Sequence, residues 1–179
     1  MDSFSALPAN SRLARQLTFL AELDKLKNVL RQSLVATTRR NENSAEHSWH
    51  LAMLSLVLLE HASAKNLDQL RVLKMILVHD IVEIDAGDTF LYNTAGQLSK
   101  TEREKAAASR IFSLLPEEQG KELREIWEEF EAETTPEAKC AQCLDRLQAV
   151  LQNLHTGGAA WRRNRISKKQ VLEIGRAHV

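Results

Sequence analysis

Residues 66–83 read NLDQLRVLKMILVHDIVE. Leu70, Leu73, Ile76 and Leu77 recur at intervals of three and four, the spacing that turns one side of an α-helix toward a core. That apolar pattern then runs into His79-Asp80, with Glu83 a turn further on and Asp88 after Gly87. Ionisable groups heading for a buried face are costly unless they are paired or hold a metal. The segment therefore predicts a helix that opens near Asn66 and delivers chemistry at its far end.

Outward from this helix the same period continues and strict alternation is nowhere sustained, so the fold class is all-α with about six to seven helices. A first helix is predicted from Ser11 to Arg31 on a leucine stripe (Leu13, Leu17, Leu20, Leu23, Leu26, Leu30). A second starts near Asn43, where Asn43 and Glu46 have capping-box spacing, and carries His47, His50, Leu51, Leu54, Leu58 and His61. Residues 85–98 read as a loop, and a fourth helix is expected from Ser99, with Glu102 completing its box, to about Leu115-Pro116. A charged fifth helix spans about 117–133. A sixth starts at Thr135-Pro136 and is stopped by Gly157-Gly158. A basic loop at 162–165 and a short helix from Ser167 follow. No repeat or linker divides the chain, so 1–179 reads as one domain, with a core of about 20–155 and a C-terminal loop and helix over 156–179.

Composition narrows the function. The chain has 179 residues, 44% hydrophobic and 27% charged, which is a globular balance. Lys and Arg total 24 against 24 Asp and Glu, too even for a general nucleic-acid or anionic-membrane binder, though a small anion needs only a few local cations. The Cys140/Cys143 pair lies within a helical pattern and lacks two further soft ligands, so it is expected to pack rather than bind zinc. No apolar run is long enough for a signal peptide or a membrane span, and a cytoplasmic location is expected.

Three helices offer ligating side chains: His47 in the second, His79-Asp80 at the end of the third, and Asp145 between Leu144 and Leu147 in the sixth. Two imidazoles and two carboxylates suit borderline first-row ions, so one divalent metal (Mn, Co, Fe, Ni or Zn rather than Mg) is expected. Each residue also has an ordinary reading as a helix cap, a surface carboxylate or a satisfied core histidine. Spacing alone leaves both readings standing.

The string Arg40-Asn41-Glu42-Asn43-Ser44-Ala45-Glu46-His47-Ser48, then His79-Asp80-Ile81-Val82-Glu83, Gly87-Asp88 and Asp145, resembles the HD-domain phosphohydrolases, nearest their 5′-deoxynucleotidase branch. The resemblance spans about residues 20–155. It implies an all-α HD fold and a metal set of His47, His79, Asp80 and Asp145. It also implies catalytic carboxyls at Glu83, the acid, and Asp88, its support. By the same resemblance the protein removes phosphate from deoxynucleoside or nucleoside 5′-monophosphates, with a small nucleotide as its partner and a second copy of itself in a homodimer.

Arg31 falls near the family's phosphate-binding arginine, and Arg40 is a second candidate for substrate binding. Where the family has a tryptophan after that arginine, this chain has Gln32 and Ser33, so weak discrimination between deoxyribose and ribose is expected. No histidine occurs between His79 and His155, which favours one metal over two and monoester over diester hydrolysis. Two alternatives are an HD hydrolase of another small phosphate ester or nucleotide phosphodiester, and a non-catalytic nucleotide-sensing module. The acid Glu83 and its support Asp88 weigh against the sensor, because binding alone needs neither.

Overall fold

Asn43 caps the helix that follows it in both directions. Its side chain accepts from the Glu46 amide, and the Glu46 carboxylate accepts from the Asn43 amide. This box fixes the start of α2, Ser44–Leu58, and so the height at which His47 enters the core. The computed structural model in which this is seen describes residue 8, residues 11–92 and residues 94–176. The outermost parts of the domain expected over 1–179 lie outside the described residues.

Upstream the chain departs from expectation. Helix α1 covers Arg12–Leu23 and does not continue to Arg31. A 3-10 turn at Asp24–Asn28 leads into β1, Leu30–Leu34, which pairs antiparallel with β2, Asn41–Asn43, across a bulge. Arg39, at φ 61, helps turn the chain between the strands. The leucine stripe misled because much of it is not a core face: Leu13, Leu20 and Leu30 are exposed. The hairpin satisfies the backbone groups and frees Arg31 to project away from any helix surface.

Helix α3 covers Gln69–Val78 and is capped by Asp68, whose side chain accepts from the Arg71 amide, rather than by Asn66. It tightens into a 3-10 turn at His79–Val82 and then the single turn α4, Glu83–Ala86, which Gly87 ends at φ 74. The segment is thus helical to Ala86 before the chain loops out. Helix α5 begins at Thr94, earlier than the Ser99 box suggested, and ends at Phe112. Helices α6, Glu117–Ala132, and α7, Pro136–His155, match expectation, with Thr135 capping and Pro136 opening α7. The stretch expected as a basic loop begins as a short helix, α8, Ala159–Arg163, before α9, Lys168–Arg176.

The fold is all-α apart from the hairpin. Helix α3 lies at its centre, packed against α2, α6 and α7. Leu51, Val72, Met75, Ile76, Ile111 and Ile126 are fully buried around it. Burial at roughly 1.5–3 kcal/mol per large aliphatic side chain is what holds His79 and Asp80 at one fixed depth. Cys140 is half-buried and Cys143 exposed, both as free thiols, so only the first does the packing expected of the pair. Among the described residues no helix is long and apolar enough to cross a membrane.

Candidate metal centre and substrate cavity

The helix ends meet at one point. Ligand-capable atoms of His47, His79 and Asp80 lie within 4.8 Å of one another, and all three residues are buried. Asp145, on α7, brings Oδ1 to 2.9 Å from His47 Nε2, and Asp80 Oδ1 stands 3.0 Å from His79 Nε2. Yet neither Nε2 has a hydrogen-bond partner of acceptable geometry. Separations of about 3 Å between atoms aimed past one another are those of neighbouring ligands around an ion with bonds of about 2.0–2.2 Å.

The opposite ring nitrogens explain the aim. His79 Nδ1 is 2.7 Å from the Ile76 carbonyl, and His47 Nδ1 is 3.1 Å from Gln148 Oε1. Each Nδ1–H therefore donates, which leaves the Nε2 lone pair for the site. Gln148 is itself oriented, since its amide nitrogen donates to Glu42 at 3.0 Å, as does that of Gln152. Sequence reading missed Gln148, Gln152 and Glu42. A glutamine one turn after Asp145, and Glu42 within the string that carries the resemblance, were the available signals. His50, half-buried, joins this network through Gln148, whereas His61 is exposed. The donor set, two imidazoles with carboxylates, fits a divalent ion once each imidazole presents its Nε2 lone pair.

Arg31 reaches the centre from β1. One guanidinium nitrogen lies 2.9 Å from Asp80, 3.6 Å from Asp88 and 4.0 Å from Glu83, and the other lies 3.8 Å from Asp145. Burial disfavours its charge, but these four carboxyls outweigh that and hold it firmly protonated. Arg40 is not brought to the site. It is exposed and makes a two-pronged pair with Glu46, at 2.6 and 2.8 Å, because the tight turn at Arg39 faces it outward along α2.

The carboxyls divide by environment. Burial pushes Asp80 up, but His79 and Arg31 overcome it and hold Asp80 far below the usual carboxylate range. Asp145 is likewise raised by burial, then brought down to about 2 by His47, His79 and Arg31. Glu83 goes the other way: burial, reinforced by the charge of Asp80, pushes it well above an ordinary glutamate, and Arg31 relieves only part. Ser44 donates to its Oε2 at 2.6 Å and fixes its orientation. Asp88 is also raised, by burial, with Arg31 opposing. Two committed anions beside one protonated acid is the division of labour that acid-assisted hydrolysis needs.

These groups form one end of a cavity of about 270 Å³. Its other lining includes the apolar side chains of Phe90, Leu91, Ala149 and Val150 and the aromatic rings of Tyr92 and Trp161. Trp161 comes from α8, which is pinned to β1 by Arg163 donating to the Gln32 carbonyl and side chain at 3.0 and 3.1 Å. So Gln32 and Ser33 do line the cavity, but an indole stands there with them.

The HD domain profile matches residues 23–179. The human 5′-deoxynucleotidase HDDC2 is 33% identical over 154 residues, 85% of this chain and 74% of that protein. A predicted metal-dependent phosphohydrolase from Magnetospirillum magnetotacticum is 45% identical, with a TM-score of 0.87 over 97% of this chain and 85% of that one. A conserved hypothetical protein from Pyrococcus furiosus shares the fold, with a TM-score of 0.65 over 90% of this chain and 97% of that one, at 23% identity.

Proposed function

The chain belongs to the HD-domain family, and on that footing we propose that it is a divalent-metal-dependent phosphomonoesterase. Its substrates are deoxynucleoside or nucleoside 5′-monophosphates. The observation that carries this reading is the partnerless Nε2 atoms of His47 and His79 beside Asp80 and Asp145, with His79 and Asp80 lining a cavity that also holds a buried, proton-retaining Glu83. His47, His79, Asp80 and Asp145 would hold the ion. The ion, when bound, supplies charge neutralisation at the phosphate and acidifies the attacking water.

The remaining steps belong to the protein. Arg31 orients the phosphate, since a planar guanidinium matches two phosphate oxygens. Glu83, kept protonated by burial and the charge of Asp80 and held in place by Ser44, donates its proton to the leaving 5′-oxygen, with Asp88 in support. The apolar and aromatic side chains of the cavity take the nucleoside. Imidazole with carboxylate favours Mn, Fe, Co, Ni or Zn over Mg. A second copy completes the assembly, supported by the apolar residues that α2 leaves exposed: Trp49, Met53, Leu56 and Val57.

The test is phosphate release from nucleoside monophosphates in the presence of Mn, Co, Ni, Zn or Mg. Glu83→Ala is expected to lower kcat by about 100-fold or more while retaining the metal. A wild-type protein that binds nucleotides and metal but releases no phosphate would instead make this a sensor.

A further inference from the structure

Among the charged groups lining the cavity that this chemistry leaves unused is a pair on α5. Lys100 and Glu104, one turn apart on α5, both line it together with His79, Asp80 and Glu83. Glu104 is buried, whereas the Lys100 side chain keeps about a third of its surface exposed. They stand 3.6 Å apart, longer than the roughly 2.7–2.9 Å of a committed ammonium–carboxylate hydrogen bond. The glutamate thus holds the ammonium near without closing on it. The Lys100 charge survives its burial because the carboxyls around it, Glu131 and Glu104 first, act on it.

Its position complements that of Arg31. Helix α5 packs along α4 and the His79–Val82 turn, while β1, which carries Arg31, packs on α7 and α8. The two cations therefore enter the cavity from different walls. Arg31 already faces four carboxyls within 4.0 Å, so it shares its charge between them and the phosphate. A phosphate monoester brings nearly two negative charges into a cavity already lined by carboxylates. It needs a cation whose donors are not committed.

We infer that Lys100 is a second phosphate-binding residue, tethered by Glu104 and reaching the phosphate from the side opposite Arg31. The inference rests on the phosphatase reading but is tested apart from it, by the binding of inorganic phosphate. Calorimetry on metal-loaded protein should show at least a tenfold loss of phosphate affinity in Lys100→Met, since hydrogen bonds to charged groups are worth about that much. Lys100→Arg should recover most of it, and metal content should stay unchanged in both. Equal phosphate affinity in wild type and Lys100→Met, or a loss that arginine does not recover, would overturn the inference and leave the pair a structural one. A wild type that binds phosphate through Lys100 yet releases none from any nucleotide would support the inference while sinking the phosphatase.

Discussion

His79 Nε2 cannot hold a proton and a cation at once. Burial alone would lower its pKa, but Asp80 more than reverses this and lifts it to about 9 in the metal-free site. At neutral pH an incoming ion must displace that proton. Metal affinity is therefore expected to rise with pH up to about 9 and then level off, with about one proton released per ion. Calorimetry in buffers of different ionisation enthalpy checks this, and zero release would mean that Nε2 is not a ligand. The same shift has a stability sign in the metal-free protein. A raised histidine stabilises fully below its ordinary value of 6.5, and that contribution disappears as pH climbs through about 9. Gln148 is testable at the same scale. Gln148→Leu keeps the volume but leaves His47 Nδ1 and Glu42 short of their partner, and should weaken metal binding by about 10–100-fold in chelator competition.

At the scale of elements, what the sequence made legible follows from how local each signal is. The Asn43–Glu46 box and the Thr135-Pro136 start are reciprocal contacts a turn long, and both helices begin where they say. The stripe from Leu13 to Leu30 has no such local closure. Its periodicity fits a helix, yet pairing with Asn41–Asn43 decides its last part, and nothing near Arg31 in the chain announces that partner. The site divides the same way. His47, His79, Asp80, Glu83 and Asp88 sit in readable strings, whereas Gln148, Lys100 and Trp161 reach the candidate site only because distant elements converge. Arg40, adjacent to the readable string, faces away. Helix α8 carries the test at this scale. Trp161→Ala should lower kcat/KM for nucleoside monophosphates about tenfold, roughly the loss of one aromatic contact, and leave a small non-aromatic phosphate ester nearly unaffected. An equal loss on both substrates would mean that Trp161 supports the fold instead of the nucleoside. A hundred-fold deoxy preference in wild type that Trp161→Ala erased would make the indole the sugar gate, against the weak selectivity expected from Gln32 and Ser33.

The whole molecule poses a question that its parts do not. Helix α2 buries His47, Ser48, Leu51 and Ser55 on its inner side, yet its outer side is also apolar, with Trp49 68% and Val57 59% exposed. A helix apolar all round normally ends up covered on all sides. The exposed residues Trp49, Met53, Leu56 and Val57 follow helical spacing, so a second copy related by a two-fold axis can set this stripe against itself. Charged neighbours such as Glu60 lie at its end and would fall on a polar rim. The substitution to make is Val57→Glu, because it places like charges face to face across the two-fold while leaving the buried side untouched. Analytical ultracentrifugation should find a dimer for wild type and a monomer for Val57→Glu, with unchanged helical content by circular dichroism. The proposed metal ligands all come from one chain, so the monomer should keep its ion. If Val57→Glu remained a dimer, the contact would lie elsewhere; if wild type were monomeric at micromolar concentration, the homodimer itself would fall.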